Sequence, residues 1–225
     1  MRRSADGPRV LMLCLPILLV VAAAWVPSFA GGRKAETIRE SSRRSATALQ
    51  EQVARGRFLV ISHDCGGCHG GGSDPAATGW IDGVRDTLQE FHIGPFITRP
   101  KNLTPDVATG IGSFTERQIF NSLRYGLRPE ETPDVEITST VPGQGNFPLH
   151  PHYLAVPMPW PAWRHMPDQD LWAISAYLKN GVKPSRNQVR DSDGPPDFWA
   201  SEYTVAKIGA YPLAPFPTAK EKGGQ

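Results

Sequence analysis

Apolar and polar positions alternate with a helical period in only three stretches of this chain. Leu49, Val53, Gly56 and Val60 recur at helical spacing behind Thr47-Ala48-Leu49-Gln50, which has the form of a capping box, so the pattern predicts a first helix over residues 49–61. Gly56 in its middle costs about 1 kcal/mol relative to Ala, which points to something packing closely there. Residues 70–112 are rich in Gly, Pro, Asp and Thr and hold no sustained period; they read as long loops. Ser113-Phe114-Thr115-Glu116, overlapped by Thr115 with Gln118, opens a second helix through Ile119, Phe120 and Leu123 that stops at Gly126. Residues 128–156 return to proline-rich loop. The third helix covers residues 167–180: Asp168 and Asp170 suit the positive end of the dipole, Leu171, Ile174 and Leu178 form the buried stripe, Lys179 is in the last turn and Gly181 is the cap. From Pro184 onward the chain is proline-rich and extended, with Phe198, Trp199 and Tyr203 as its anchors.

The N-terminus reads as an export segment. Arg2, Arg3 and Arg9 precede an apolar run over residues 10–26, and Ser28-Phe29-Ala30 has the small residues of a cleavage site. Pro16 interrupts the run, which favours cleavage over a retained anchor, and both fates put the rest of the chain across the inner membrane. Residues 31–46 are a polar, charge-mixed linker. The formal charge is +2, and residues 1–30 hold three arginines and one aspartate, so the remainder is neutral. That balance argues against nucleic acid and against a strongly basic docking face.

Chemistry concentrates at residues 65–69, Cys65-Gly66-Gly67-Cys68-His69. Two thiols flanking a two-residue spacer, with a histidine directly after the second, are the attachment pattern of a c-type haem. The short spacer lets both thiols reach the two vinyl groups, and the histidine lies under the ring as an iron ligand. A structural zinc site needs a second pair of ligands that the chain lacks, and a thioredoxin-type pair does not require the histidine. Cys14 lies in the apolar run, so no disulfide is available once Cys65 and Cys68 are committed. One motif implies one haem, and roughly 100 residues suffice for its domain. The 22 glycines and 22 prolines, about a fifth of the chain against an average of about 12%, favour a loop-rich body with the haem as much of its core.

An electron carrier needs a second iron ligand, and a thioether raises the potential. Met158 stands in Val156-Pro157-Met158-Pro159-Trp160-Pro161, whose prolines hold an extended strap that presents one side chain. Met166 has a different role. With Pro167 as N-cap it staples to Leu171 ahead of the last helix, which leaves it as the alternative to Met158. His63 is too near Cys65 to reach the far face; His92, His150, His152 and His165 fall on predicted loops, and one of them in place of methionine would give bis-imidazole ligation and a lower potential.

In this arrangement the chain resembles a monohaem class I cytochrome c of the bacterial exported type over residues 48–190. The resemblance rests on Gly56-Arg57-Phe58-Leu59-Val60 before the haem motif, Asn102-Leu103-Thr104-Pro105-Asp106 with Thr109-Gly110-Ile111-Gly112, Met158-Pro159-Trp160, and Asp168-Gln169-Asp170-Leu171 with Ala176-Tyr177-Leu178. It implies an all-α cytochrome c fold with three to four helices around one covalent haem c. Cys65 and Cys68 would hold the haem, and His69 and Met158 would bind iron. Gly56 would admit Tyr177 or Trp172 where first and last helices cross, and Asn102 and Thr104 would lie near a haem propionate or serve a plain turn. Pro167, where the family has a Ser or Thr cap, and the insertion at 128–156 depart from the pattern.

The motifs are similar to those in cytochrome subunits of membrane-bound alcohol and sugar-acid dehydrogenases, which often carry three such domains where this chain has one. The resemblance implies a periplasmic electron carrier and not an enzyme, free or anchored to the outer face of the inner membrane. Its partners would be a dehydrogenase or quinol-side donor and an oxidase-side acceptor. Two other readings stay open. One is a haem peroxidase or gas sensor with an open distal site, for which Arg99, Arg164 and His165 are nominal candidates; the other is a permanent electron-accepting subunit of a dehydrogenase.

Overall fold

Residues 30–85 and 89–194, with Ser201, Tyr203, Thr204 and Lys207, are described by a computed structural model of the chain. Residues 1–29 of the export segment, Cys14 among them, therefore lie outside the described residues, as do Phe198 and Trp199. The chain divides into two units, Met1–Ser41 and Ser42–Gln225. The described residues of the first are helical, and those from Lys34 on are largely exposed.

Helix α1 spans Ala30–Ser62 and begins well before the predicted capping box. The Thr47 hydroxyl instead donates to the Arg43 carbonyl at 3.1 Å, one turn back along a helix already formed. Residues 33–46 are mostly Arg, Lys, Glu, Ala and Ser, nearly all tolerant of a helix, and Glu40 precedes Arg44 at a supporting spacing; this part of the linker is helical because nothing in it stops a helix.

One turn, α2 (Cys65–His69), follows Asp64, whose backbone is left-handed at φ 50°. The loops after it contain an antiparallel hairpin, β1 (Phe91–Ile93) and β2 (Phe96–Thr98), with His92 opposite Ile97. Its signal was present in the sequence: two short runs rich in aromatic and β-branched residues separated by Gly94-Pro95. The described chain is thus mostly helical with one small sheet.

Helix α3 (Glu116–Tyr125) carries the full capping box between Thr115 and Gln118 and ends at Gly126 in the left-handed region. A 3-10 turn at Pro129–Glu131 follows, then α4 (Trp160–Trp163) and α5 (Asp168–Asn180) behind Pro167. The last two predicted helices match α3 and α5 closely. The expected extended strap does not hold: the Met158 amide donates to the Ala155 carbonyl at 2.9 Å, and Trp160 starts a helical turn. Pro159 and Pro161 fall at the start of that turn, where no amide donor is required.

Leu59 and Val60 of α1, Ile119, Phe120 and Leu123 of α3, and Leu171, Ile174, Tyr177 and Leu178 of α5 form the core with Trp80, Ile81 and Ile111. Phe120 stacks on Trp172 with ring centres 4.5 Å apart. At the α1–α5 crossing, a Cβ on Gly56 would overlap the Ala173 carbonyl, which explains the mid-helix glycine. Arg55 adds a two-pronged pair to Asp170 at 2.9 and 3.0 Å. Ile137 and Phe147 of the 128–156 insertion form a second small core with Leu127, and the Leu127–Tyr153 bridge ties the insertion's end back to its start. Residues 185–193 dock on the body: Val189 is buried and Asp193 pairs with Ile97. Among the described residues, no helix is long and apolar enough to cross a membrane.

Candidate functional site

Asp64 sets the entry to α2, so that Cys65 and Cys68 stand three residues apart on one turn and His69 closes it. Cys65 packs on the main core while Cys68 is exposed. Gly66 is required by its surroundings: a Cβ there would overlap the Gly72 carbonyl and stand 2.6 Å from the Trp80 indole nitrogen. Trp80 in turn donates to the Gly72 carbonyl at 3.1 Å. The loop after α2 folds back on it, with the Ile81 amide bonding the Gly70 carbonyl and the Gly83 amide bonding the His69 carbonyl at 2.8 and 2.7 Å.

Burial, with the charge of Asp64 adding to it, pushes the Cys65 thiol up to about 12, and the same two causes raise Cys68. Both remain protonated at neutral pH, unlike the activated thiolate of a disulfide-exchange pair. The His69 ring contacts the Lys101 carbonyl through Nδ1 at 2.7 Å. A carbonyl only accepts, so Nδ1 carries the proton and Nε2 keeps its lone pair. Burial lowers the His69 pKa, against the Lys101 carbonyl, which raises it, and so favours the neutral, ligating form.

Met158 and Met166 both pack, half-buried, on the core that also takes in Cys65. The Met166 carbonyl accepts from the Arg124 guanidinium at 2.9 Å, and Arg124 also holds the Arg164 carbonyl and the Asp168 carboxylate. One buried arginine of α3 thus pins the segment between α4 and α5.

No protein-family model matches the chain. It is 26% identical over 139 residues to the fructose dehydrogenase cytochrome subunit of Gluconobacter japonicus, covering 62% of this chain and 23% of that protein. Against the gluconate 2-dehydrogenase cytochrome c subunit of Pantoea cypripedii it is 28% identical over 144 residues, 64% of this chain and 26% of the other. The cytochrome c subunit of the quinone-dependent alcohol dehydrogenase of Gluconacetobacter polyoxogenes is 25% identical over 146 residues, 65% and 24% respectively. The chain is similar to cytochrome c subunits of dehydrogenases. It spans about a quarter of the length of these relatives.

The remaining sequence candidates fall elsewhere. Asn102 spends both amide hydrogens on Thr109 and the Ser185 carbonyl, at 3.1 and 2.8 Å, and its oxygen accepts the Thr104 amide at 2.8 Å. Thr104 donates to the Ser185 carbonyl and accepts the Ser185 amide, both at 3.1 Å, so the pair braces this loop against the chain after α5. His63 bonds the Leu59 carbonyl at 2.9 Å, His152 pairs with Glu131, and His92 and His150 are exposed. Arg99 is engaged with Glu90 and Asp193, while Arg164 is buried beside α4 with Nε bonded to the Pro161 carbonyl at 3.2 Å and His165 is half-buried. Sequence reasoning missed Lys101, whose contribution is a backbone carbonyl and so leaves no trace in residue type. Arg124 gave a faint signal as a basic residue in the last turn of a helix.

Proposed function

We propose that the chain carries one haem c, attached through Cys65 and Cys68 with His69 and Met158 as axial ligands. In this reading it passes electrons outside the inner membrane between a dehydrogenase or quinol-side donor and an oxidase-side acceptor. The observation that carries the proposal is the His69 ring: its Nδ1–H is held by the Lys101 carbonyl at 2.7 Å, so Nε2 is the nitrogen left for iron. The donor set fits the group, with two protonated thiols on one helical turn, a neutral imidazole, and two thioethers on the core that Cys65 joins. Bound there, the haem supplies a one-electron ferric/ferrous couple.

The residues around it divide the remaining work. Lys101 fixes the imidazole tautomer, and Gly66 lets Trp80 and Gly72 close over the attachment turn. Arg124 anchors the segment after Met158. Asn102 and Thr104 serve the turn, since the donors of Asn102 are committed within the protein. Cys68 is exposed and Cys65 packed inward, in keeping with a group that keeps one edge at the surface for brief contacts of small area.

Similarity to dehydrogenase subunits supports a dehydrogenase as the donor, and it equally supports a permanent complex. Co-purification with an exported dehydrogenase distinguishes the permanent complex from the shuttle. Attachment itself is tested by expressing the full chain in a host with cytochrome c maturation and denaturing it. Wild type should retain haem, and the Cys65→Ser, Cys68→Ser double variant should release all of it. Wild-type protein that gives up its haem to acid solvent would refute covalent attachment.

A further inference from the structure

Lys101 supplies the carbonyl that holds His69, and its side chain points to a different part of the chain. Its ammonium donates to the carbonyls of Val189 and Arg190, at 3.4 and 3.0 Å, and to the Asp191 carboxylate at 2.9 Å. Two residues earlier, the Arg99 guanidinium holds Glu90, the Asp191 carbonyl and, at 2.9 Å, the Asp193 carboxylate, and its side chain is only 1% exposed. The Arg99 amide donates to the Ser192 hydroxyl at 3.1 Å. Beyond Arg99, Ile97 exchanges both backbone hydrogen bonds with Asp193, at 3.0 and 2.7 Å. Residues 189–193 thus run beside β2 and the residues that follow it, joined to them by one β-bridge at Ile97 and by the side chains of Arg99 and Lys101, just ahead of the peptide whose carbonyl faces His69.

We infer that Arg99 and Lys101, with the 189–193 segment they clasp, are positioning residues for the iron ligand: they fix the direction of the Lys101 carbonyl and through it the His69 ring. Outer partners of a ligating imidazole set its orientation and raise its basicity, so a firm Nδ1–H···O bond makes the ring a stronger donor and favours ferric iron. A loosened carbonyl weakens that bond and favours ferrous iron. The chain after α5 then acts on the iron ligand through the Lys101 carbonyl. This inference rests on His69 as ligand.

The test is an equilibrium redox titration of the full-length holoprotein, wild type beside Arg99→Gln, Lys101→Met and Arg99→Lys. Arg99→Gln and Lys101→Met each remove a positive charge, which by electrostatics alone lowers the potential, whereas loss of positioning raises it. We expect a rise in both, with the ferrous-to-ferric ratio at fixed ambient potential increasing several-fold, up to about tenfold or about 59 mV for one electron. Arg99→Lys should recover part of the shift, and the His69 Nδ1 proton should exchange faster in the two disruptive variants. A fall or no change in potential overturns the inference. Should Arg99→Gln fail to fold, Lys101→Met, whose side chain is half-exposed, decides alone. The underlying reading fails separately, if wild type holds no haem or if His69→Ala leaves the axial ligation unchanged.

Discussion

Gly56 and Tyr177 meet where α1 crosses α5, and a Cβ built on Gly56 would stand 2.7 Å from that of Tyr177 while overlapping the Ala173 carbonyl. The neighbours are backbone and the root of a side chain, so they yield only if the helices part. Gly56→Ala should therefore cost about 3 kcal/mol in spite of its better helix propensity. For a protein of this size that is roughly 10 °C in Tm, read by thermal unfolding of the holoprotein. An unchanged Tm would mean that the helices do not cross at this distance.

Thr115 caps α3 by accepting the Gln118 amide at 3.1 Å, and Gln118 returns the bond to the Thr115 amide at 2.9 Å. Thr115 also donates to Asp134 at 2.6 Å. Thr115→Ala should lower stability by about 1–2 kcal/mol, with Thr115→Ser close to wild type, as measured by the urea midpoint.

Gly66 lies between the two cysteines without a role in the attachment chemistry, yet a side chain there meets Trp80 and Gly72. Gly66→Ala keeps both thiols and His69 and should still lower the haem-to-protein ratio of exported protein several-fold. Full haem content in that variant would show that the loop after α2 can move aside.

Hydrogen bonds from Arg99 hold the Asp193 carboxyl below the usual carboxylate range, and Lys101 does the same for Asp191; Glu90 and Arg190 also face this cluster. Asp191 and Asp193 bind protons less readily folded than unfolded, so their stabilisation is complete above the ordinary carboxylate pKa of about 3.9 and is lost as pH falls through the lower folded values. The Ile97 and Asp193 amides should keep their hydrogen-exchange protection above about pH 5 and lose it ahead of the helices once the pH falls below the ordinary carboxylate range. Loss near neutral pH would show that the carboxylates do not hold the segment.

Helices α3 and α5 were legible because each carries its own local signal. Thr115 with Gln118 and Gly126 mark both ends of α3 in residue type alone, and Gly56 announces a close approach before its partner is known. What stayed hidden depends on distant contacts. Arg99 reads from sequence only as a nominal distal-side candidate, and only the fold brings residues 189–193 beside it. The prolines around Met158 fit an extended strap and the start of a helical turn equally well, and packing against α3 decides for the turn.

Axial ligation decides between an electron carrier and an open haem site, and Met158 and Met166 both reach the core. The absorption spectrum of the ferric holoprotein separates the two, comparing wild type, Met158→Ala and Met166→Ala. Ligation by His69 and Met158 predicts the weak long-wavelength charge-transfer band of a methionine sulfur on ferric haem in wild type, kept in Met166→Ala and absent in Met158→Ala. A wild-type spectrum without that band, in protein that takes up carbon monoxide or cyanide readily, would contradict that ligation and favour an open distal site.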